Sequence, residues 1–317
     1  MVMPAQPPLP QAVDSPGTVQ RLVVDGTEVL VEGRGEHTVL MLHGWPDTRA
    51  LWDGTVAALR DGWRCARLTL PGYDAAAPGL GAPCTLDRMT ALLAAVAEAL
   101  SPGRPLTLLV HDWGCVFGYE FALRHPERVA RVIGVDVGDH DSPALQRALT
   151  SGQKAGVLGY QAWLAVAWQL RALGLGGLAD GMTRRMAGWL RYRGPMAAVH
   201  GGMNYPYAMA WFGTAGGLRG ARPVQALAQP MLYVYGRRKP FMFHSPEWLA
   251  ALQAAPGSAA VGLGTGHWVM GDAPEAFHAT VRAWLAGQPL PAVDGMAARG
   301  LAAPVAAGGP AATDAAP

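Results

Sequence analysis

The residues of this chain best suited to chemistry lie at 110–114, where the sequence reads VHDWG directly after the apolar stretch 106–110. That stretch has the length and composition of a buried strand, and the residues that follow have the apolar spacing of a helix. A tight strand-to-helix turn lifts its central side chain out of the sheet, as in the nucleophile elbow G-x-S-x-G. Here the central residue is Asp112. A carboxylate nucleophile predicts attack on an sp3 carbon and an alkyl-ester intermediate, whereas a serine would form an acyl-enzyme.

Two further motifs follow other apolar stretches. The sequence HGWPD at 43–47 predicts a loop beside the elbow, in which the backbone N–H groups of Trp45 and Trp113 form an oxyanion hole. We expect His43 to hold that loop by hydrogen bonds. The sequence GTGHW at 264–268 places His267 in a glycine-rich loop after the last apolar stretch. The order along the chain, nucleophile first and histidine last, matches that of a catalytic triad, so we predict that His267 is the general base.

The elements that must position these residues alternate along the chain. The pattern predicts a hairpin over 19–24 and 27–32, strands at 38–42, 65–70, 106–110, 129–135, 231–235 and 259–263, and intervening helices, among them 50–59 and 274–285. Such alternation predicts an α/β fold with a doubly wound, mostly parallel sheet. Residues 140–222 have helical patterns and no clear strand, which predicts a helical cap inserted between core segments 18–139 and 223–288. The ends, 1–17 and 289–317, are predicted to be disordered.

The composition argues against several classes of function. The chain has 317 residues, of which 50% are hydrophobic and 15% charged, with a net charge of +2. No basic stripe is present, so a nucleic-acid partner is not expected. The three cysteines, Cys65, Cys84 and Cys115, have the spacing of no metal site and predict reduced thiols in a cytoplasmic protein. We expect no metal and no cofactor.

Membrane insertion is not expected either. The longest apolar segment, at 158–179, contains polar residues and several glycines, which favours a buried amphipathic segment over a membrane span. Residues 1–16 lack the features of a signal peptide. The expected partner is a small apolar substrate, and the sequence leaves a homodimer open.

Together the three motifs resemble the α/β-hydrolase superfamily, and within it the branch of epoxide hydrolases and haloalkane dehalogenases. The resemblance covers residues 20–288, and the pair Asp112-Trp113 is specific to that branch. Haloalkane dehalogenases commonly have Asn after the His-Gly of the first loop, whereas this chain has Trp45, as epoxide hydrolases do. The resemblance therefore implies opening of an apolar epoxide to a diol through an ester on Asp112. A haloalkane dehalogenase with the same Asp112 and His267 is the nearest alternative.

The resemblance also implies roles for aromatic residues of the cap. Epoxide hydrolases use two cap tyrosines as acids that protonate the epoxide oxygen. Tyr160 matches the first. The second is Tyr205 or Tyr207, because the register of the matching stretch is ambiguous. Trp163 in the cap and Trp268 beside His267 are the candidate substrate-binding residues.

The third triad member departs from the family pattern. The family often has an acid in the loop after the strand at 231–235, where this chain has Lys239. Some haloalkane dehalogenases carry the acid after the preceding strand, and that alignment points to Asp136, with Asp139 in reserve. The lysine also supports a different alternative, a catalytically inactive scaffold that binds a ligand.

Overall fold

The computed structural model describes residues 19–74 and 84–292. Almost all of the two predicted disordered ends therefore lies outside the described residues. The described strands are β1 Gln20–Val24, β2 Thr27–Glu32, β3 Thr38–Leu42, β4 Arg64–Leu68, β5 Leu106–His111, β6 Val129–Val135, β7 Met231–Gly236 and β8 Ala259–Leu263. The helices are α1 Asp53–Leu59, α2 Leu86–Leu100, α3 Trp113–Arg124, α4 Pro143–Ala148, α5 Ser151–Ala172, α6 Gly176–Trp189, α7 Tyr205–Phe212, α8 Pro246–Ala254, α9 Val269–Asp272 and α10 Pro274–Leu285.

The eight strands form one sheet in the order β1-β2-β4-β3-β5-β6-β7-β8. β1 pairs with β2, and β2 with β4, in antiparallel fashion, and every later pair is parallel. The predicted fold class, a mostly parallel sheet with helices, is confirmed. Helices cover both faces, as a parallel sheet requires. One core lies under α2, α3 and α8, and the other lies under α1, α9 and α10.

The register of the parallel strands brings their carboxyl ends together. Leu42 at the end of β3 pairs with Val110 of β5, and His111 pairs with Val135 of β6, which in turn pairs with Val234 of β7. The loops that follow β3, β5, β6, β7 and β8 therefore open at one edge of the sheet. Ligands of open α/β sheets bind at this edge.

Helices α4 to α7 occupy the chain between β6 and β7. The longest, α5, begins at a capping box in which Thr150 and Gln153 exchange hydrogen bonds. Its buried side chains, among them Leu164 and Trp168, join the core that lies under α2, α3 and α8. A separate cap with boundaries at 140 and 222 stays a prediction.

Within residues 19–74 and 84–292, no helix combines the length and the apolar character that crossing a bilayer would require. The three cysteines are buried and form no disulfide. Burial raises the pKa of the Cys115 thiol, which follows the elbow, to about 12. A thiol with so high a pKa is a poor nucleophile.

Candidate active site

Asp112 lies between the end of β5 and the start of α3 with φ 53° and ψ −122°. A side chain other than glycine rarely adopts such a positive φ, and holding it there costs about 1–3 kcal/mol. The neighbouring loop permits this turn only because residue 44 is glycine. A Cβ at Gly44 would lie 2.3 Å from Asp112 Oδ1 and 2.5 Å from the backbone nitrogen of Trp113. The elbow and the loop after β3 are therefore in van der Waals contact.

Trp45 anchors the carboxylate of Asp112 through its backbone. Its N–H donates to Asp112 Oδ1 at 2.7 Å, and its indole N–H donates to Asn204 Oδ1 at 2.8 Å. The backbone N–H predicted for the oxyanion hole thus faces the carboxyl group itself. The backbone nitrogen of Trp113 lies close to the same loop, as the close approach of Gly44 shows.

His43 holds the loop after β3. Its Nε2 accepts from the N–H of Leu70 at 2.9 Å, so Nδ1 carries the proton and donates to the carbonyl of Gly44 at 2.8 Å. Burial lowers the pKa of His43 to about 4. Both ring nitrogens are thus occupied and the ring is neutral, which agrees with the expected structural role.

His267 lies between two carboxylates. Its Nε2 is 3.4 Å from Asp112 Oδ2, and its Nδ1 is 2.5 Å from Asp136 Oδ2. Burial opposes a charge on the imidazole, but hydrogen bonds to Asp112 and Asp136 outweigh it and raise the pKa of His267 to about 9. The His111 ring lies tilted against it, 4.5 Å between ring centroids, and donates from Nε2 to the carbonyl of His267 at 3.2 Å. The imidazole is thus fixed from both sides.

Asp136 is fully buried at the end of β6, with φ 68°. Its Oδ1 accepts from the N–H of Gly236 at 2.9 Å and from Lys239 Nζ at 2.6 Å. Burial raises the pKa of Asp136, but the charges of Lys239 and His267 outweigh that effect and hold it below the ordinary value. The lysine found where the family often has an acid is thus the counter-ion of the acid on the neighbouring strand.

Asp139, the reserve candidate, hydrogen-bonds two serines and not the histidine. Its carboxylate accepts from the hydroxyls of Ser142 and Ser245 at 2.5 Å and 2.7 Å, and from the N–H of Ser245 at 2.7 Å. Those serines cap the starts of α4 and α8. Asp139 therefore ties two helices to the end of β6, and Asp136 is the carboxylate that holds His267.

Tyr207 and Tyr160 lie above the elbow. The ring of Tyr207 meets Trp45 and Trp113 edge to face, with centroids 5.9 Å and 5.2 Å away. Its hydroxyl hydrogen-bonds Trp113, and the charge of Asp112 together with burial keeps its pKa well above the ordinary value. Tyr160 lies 6.1 Å from Tyr207 and accepts from the Gln161 amide at 3.4 Å. Each phenol therefore keeps its own proton for another acceptor.

Tyr205, the other candidate, has different neighbours. Its ring stacks on Phe117 at 6.4 Å and meets Tyr73 edge to face at 5.8 Å. Among the described residues, its buried hydroxyl has no hydrogen-bond partner, and the same is true of Tyr73. The start of α7 thus directs Tyr207 to the rings of Trp45 and Trp113, and directs Tyr205 toward α3.

The two candidate substrate-binding tryptophans lie in different places. Trp163 is 39% exposed and donates its indole N–H to the carbonyl of Met182, so it joins α5 to α6. Trp268 meets His267 edge to face at 5.1 Å and donates to Asp47 Oδ2 at 2.8 Å. Trp268 therefore lies beside the base, whereas Trp163 belongs to the outer surface of the inserted helices.

Sequence reasoning missed Asp47 and Phe241. Burial raises the pKa of Asp47 to about 7, partly countered by its hydrogen bond from Trp268. Phe241, in the loop after β7, stacks on Tyr160 at 6.5 Å. Asp47 directly follows the HGWP motif, a signal that could have identified it. Phe241 follows no motif. In the described part of the chain no three His, Cys, Asp or Glu side chains are grouped to hold a metal ion.

The fold and site together define a class. Residues 37–171 match the family model described as the alpha/beta hydrolase fold, and the chain has that fold. The solved structure of an epoxide hydrolase from Bacillus megaterium, bound to an inhibitor, superimposes with a TM-score of 0.61 at 20% sequence identity. That alignment covers 84% of this chain and 100% of the other.

Curated relatives match shorter stretches. The probable oxidoreductase EphD of Mycobacterium tuberculosis is 34% identical over 146 residues, which are 44% of this chain and 23% of EphD. A haloalkane dehalogenase of Sphingobium indicum is 35% identical over 101 residues, or 31% of this chain and 34% of the dehalogenase. The chain thus matches less than a quarter of EphD. The predicted resemblance to the epoxide hydrolase and haloalkane dehalogenase branch is confirmed.

Proposed function

We propose that this protein is an epoxide hydrolase that opens an apolar epoxide to a diol through an ester on Asp112. One observation carries the proposal: His267 connects a carboxylate on the nucleophile elbow to a second, buried carboxylate at the end of β6. A complete nucleophile, base and orienting acid also argues against an inactive scaffold. The cytoplasmic location and the homodimer stay predictions.

The first step opens the ring. Asp112 Oδ2 attacks one ring carbon, the C–O bond of the epoxide breaks, and its electron pair stays on the oxygen. Tyr207, aided by Tyr160, gives that oxygen a proton. Both hydroxyls accept a hydrogen bond from a neighbour, Trp113 or Gln161, so their own protons point to another acceptor. Burial raises the pKa of both phenols, which keeps them protonated at neutral pH.

Formation of the ester turns His267 into a base. With Asp112 ionised, the imidazole has a pKa of about 9 and carries a proton at pH 7. Alkylation removes the negative charge of Asp112, so the pKa of His267 falls. The proton that His267 loses replaces the one that the tyrosine gave. The base thus becomes active only after the substrate is covalently bound.

The second step releases the diol. Neutral His267 takes a proton from water, and the hydroxide adds to the ester carbonyl of Asp112. The backbone N–H of Trp45, already 2.7 Å from Asp112 Oδ1, is placed to hold the oxyanion. The ester C–O bond then breaks, and the proton of the new carboxyl group goes to the departing alkoxide. Asp136 keeps the Nδ1 proton of His267 in place throughout.

Trapping the ester tests the proposal. His267→Gln removes the base of the second step and leaves the nucleophile, so we expect intact-mass spectrometry to find the protein heavier by one epoxide, with the added mass on Asp112. His278→Gln is the control, because that histidine hydrogen-bonds Thr55 away from the site. If the wild-type protein turns over the epoxide but His267→Gln carries no adduct, covalent catalysis is rejected.

The haloalkane dehalogenase alternative has less support. A halide needs N–H donors, and the indole N–H of Trp45 is donated to Asn204 while Trp113 hydrogen-bonds Tyr207. To bind a halide, each indole N–H would have to break its present hydrogen bond. Halide release from a chloroalkane, measured beside diol formation from the matching epoxide, distinguishes the two reactions.

The tyrosine assignment gives a prediction of its own. Tyr207→Phe removes the proton donor beside Asp112, and we expect kcat/KM for epoxide to fall about 10²-fold, within the usual range for a general acid. Tyr205→Phe is the matched control, two positions from Tyr207 on the same helix, and its buried hydroxyl has no hydrogen-bond partner among the described residues. Steady-state kinetics of both variants provide the test. An equal or larger loss in Tyr205→Phe would reverse the assignment.

A further inference from the structure

Exposed apolar side chains are concentrated on the inserted helices. Nine of the eleven large apolar side chains exposed in the described residues lie between positions 158 and 212. We call the surface that they form the α5–α7 face: Leu158, Trp163, Val166, Leu173, Leu175, Leu178, Trp189, Trp211 and Phe212. A large exposed apolar patch usually marks an interaction site.

These side chains belong to one connected surface. Leu158 and Val166 lie on α5, and Leu173 directly follows its last residue. Trp163 hydrogen-bonds α6 at the carbonyl of Met182, at 3.0 Å. On the other flank, Trp211 of α7 donates to the Gln161 amide of α5 at 3.4 Å. The three helices thus present their exposed apolar residues together.

The same segment carries a strong positive charge. Residues 151–222 contain eight Lys and Arg residues and one acidic residue, Asp180, although the whole chain has a net charge of only +2. Asp180 is paired with Arg171 at 3.1 Å. Arg185 and Arg219 are exposed. The remainder of the chain is therefore negative overall, and the charge of the molecule is divided between its two parts.

We propose that the α5–α7 face docks onto the surface of an anionic lipid bilayer. Exposed Trp, Leu and Phe side chains on a segment that also carries exposed arginines match such a surface, because the apolar groups enter the acyl boundary while the guanidinium groups bind lipid phosphates. A second copy of this chain is a poorer occupant. Symmetric pairing through this face would bring two strongly positive segments together. The inference goes beyond the proposed reaction and does not depend on it.

Vesicle co-sedimentation tests the proposal on the full chain. We expect binding to vesicles of phosphatidylcholine mixed with phosphatidylglycerol, and at least about 10-fold weaker binding to phosphatidylcholine alone. Leu173→Ser/Trp189→Ser and Arg185→Ser/Arg219→Ser should each weaken binding to the mixed vesicles by about 10-fold. All of these positions are exposed, so circular dichroism should find both variants folded.

Matched controls lie outside the face. Val19→Ser/Val23→Ser changes the two exposed apolar residues near the first strand, and Arg88→Ser/Arg104→Ser changes two exposed arginines on and after α2. Both should bind mixed vesicles as the wild type does. Equal binding to both kinds of vesicle, or none to either, would overturn the proposal. It would also be overturned if sedimentation velocity found a dimer that Leu173→Ser/Trp189→Ser dissociates, because the face would then belong to a second copy.

Discussion

Asp112→Asn is expected to lower kcat/KM for epoxide hydrolysis by about 10⁴-fold or more, the scale seen when a covalent nucleophile is removed. Asparagine keeps the shape of the elbow, and its amide oxygen can still accept from the N–H of Trp45, which now contacts Asp112 Oδ1 at 2.7 Å. The loss would therefore report chemistry and not unfolding. Diol formation measured by chromatography, with melting temperature as the check on folding, gives the result.

A suitable control for that substitution is Asp141→Asn, because residue 141 is exposed. It should retain full activity. Solvent isotope labelling supplies the complementary result. A single turnover in ¹⁸O water should place the label in the carboxylate of Asp112, because water attacks the ester carbonyl. Label found only in the diol would mean that water attacks the epoxide directly.

Asp136→Asn is expected to lower kcat by about 10³–10⁴-fold, as loss of the orienting acid does in other triads. The amide cannot fix the Nδ1 proton of His267 as the carboxylate does at 2.5 Å. Removing this charge also lowers the pKa of His267, so the pH at which ester hydrolysis is half-maximal should shift downward. Pre-steady-state measurement of ester breakdown across pH tests both effects.

The same substitution leaves Lys239 buried without its acid, which typically costs about 3–5 kcal/mol of stability. Asp136→Asn/Lys239→Met should recover most of the free energy of unfolding while kcat stays low. Asp139→Asn is the control, because Asp139 hydrogen-bonds the serines that cap α4 and α8 and not the imidazole. It should destabilise the protein without moving the pH profile. If Asp136→Asn alone had the kcat of the wild type, Asp136 would not be the orienting acid of His267.

Much of the fold could be predicted because the local pattern and the global fold agree. β2, β3, β6, β8 and α10 have the predicted bounds, since each is an apolar stretch ended by turn-forming residues. The bounds of less regular elements differ from the predicted ones. The helix predicted from residue 50 starts as a 3₁₀ turn, and α1 proper runs over Asp53–Leu59.

The position of a site residue could be predicted where a sequence motif determines it. It stayed ambiguous where the packing of helices determines which side chain faces the site. Asp112, His267 and Asp136 follow strands, so the strand register alone brings them to one edge of the sheet. Tyr205 and Tyr207 are two positions apart on a helix, and neither sequence pattern nor propensity says which one points to the elbow. The engagement of Trp163 with α6 likewise depends on how two helices meet.

The ion pair between Lys239 and Asp136 balances the charge of the site around Asp112 and His267. In the protein without substrate, the carboxylates of Asp112 and Asp136 are matched by the ammonium of Lys239 and the imidazolium of His267. The charges of these four groups therefore sum to zero. The electrostatic field of these four groups therefore neither attracts cations nor repels anions at long range. We therefore expect the proposed substrate to be selected by its shape and by contact with the rings of Tyr207 and Tyr160, and not by charge.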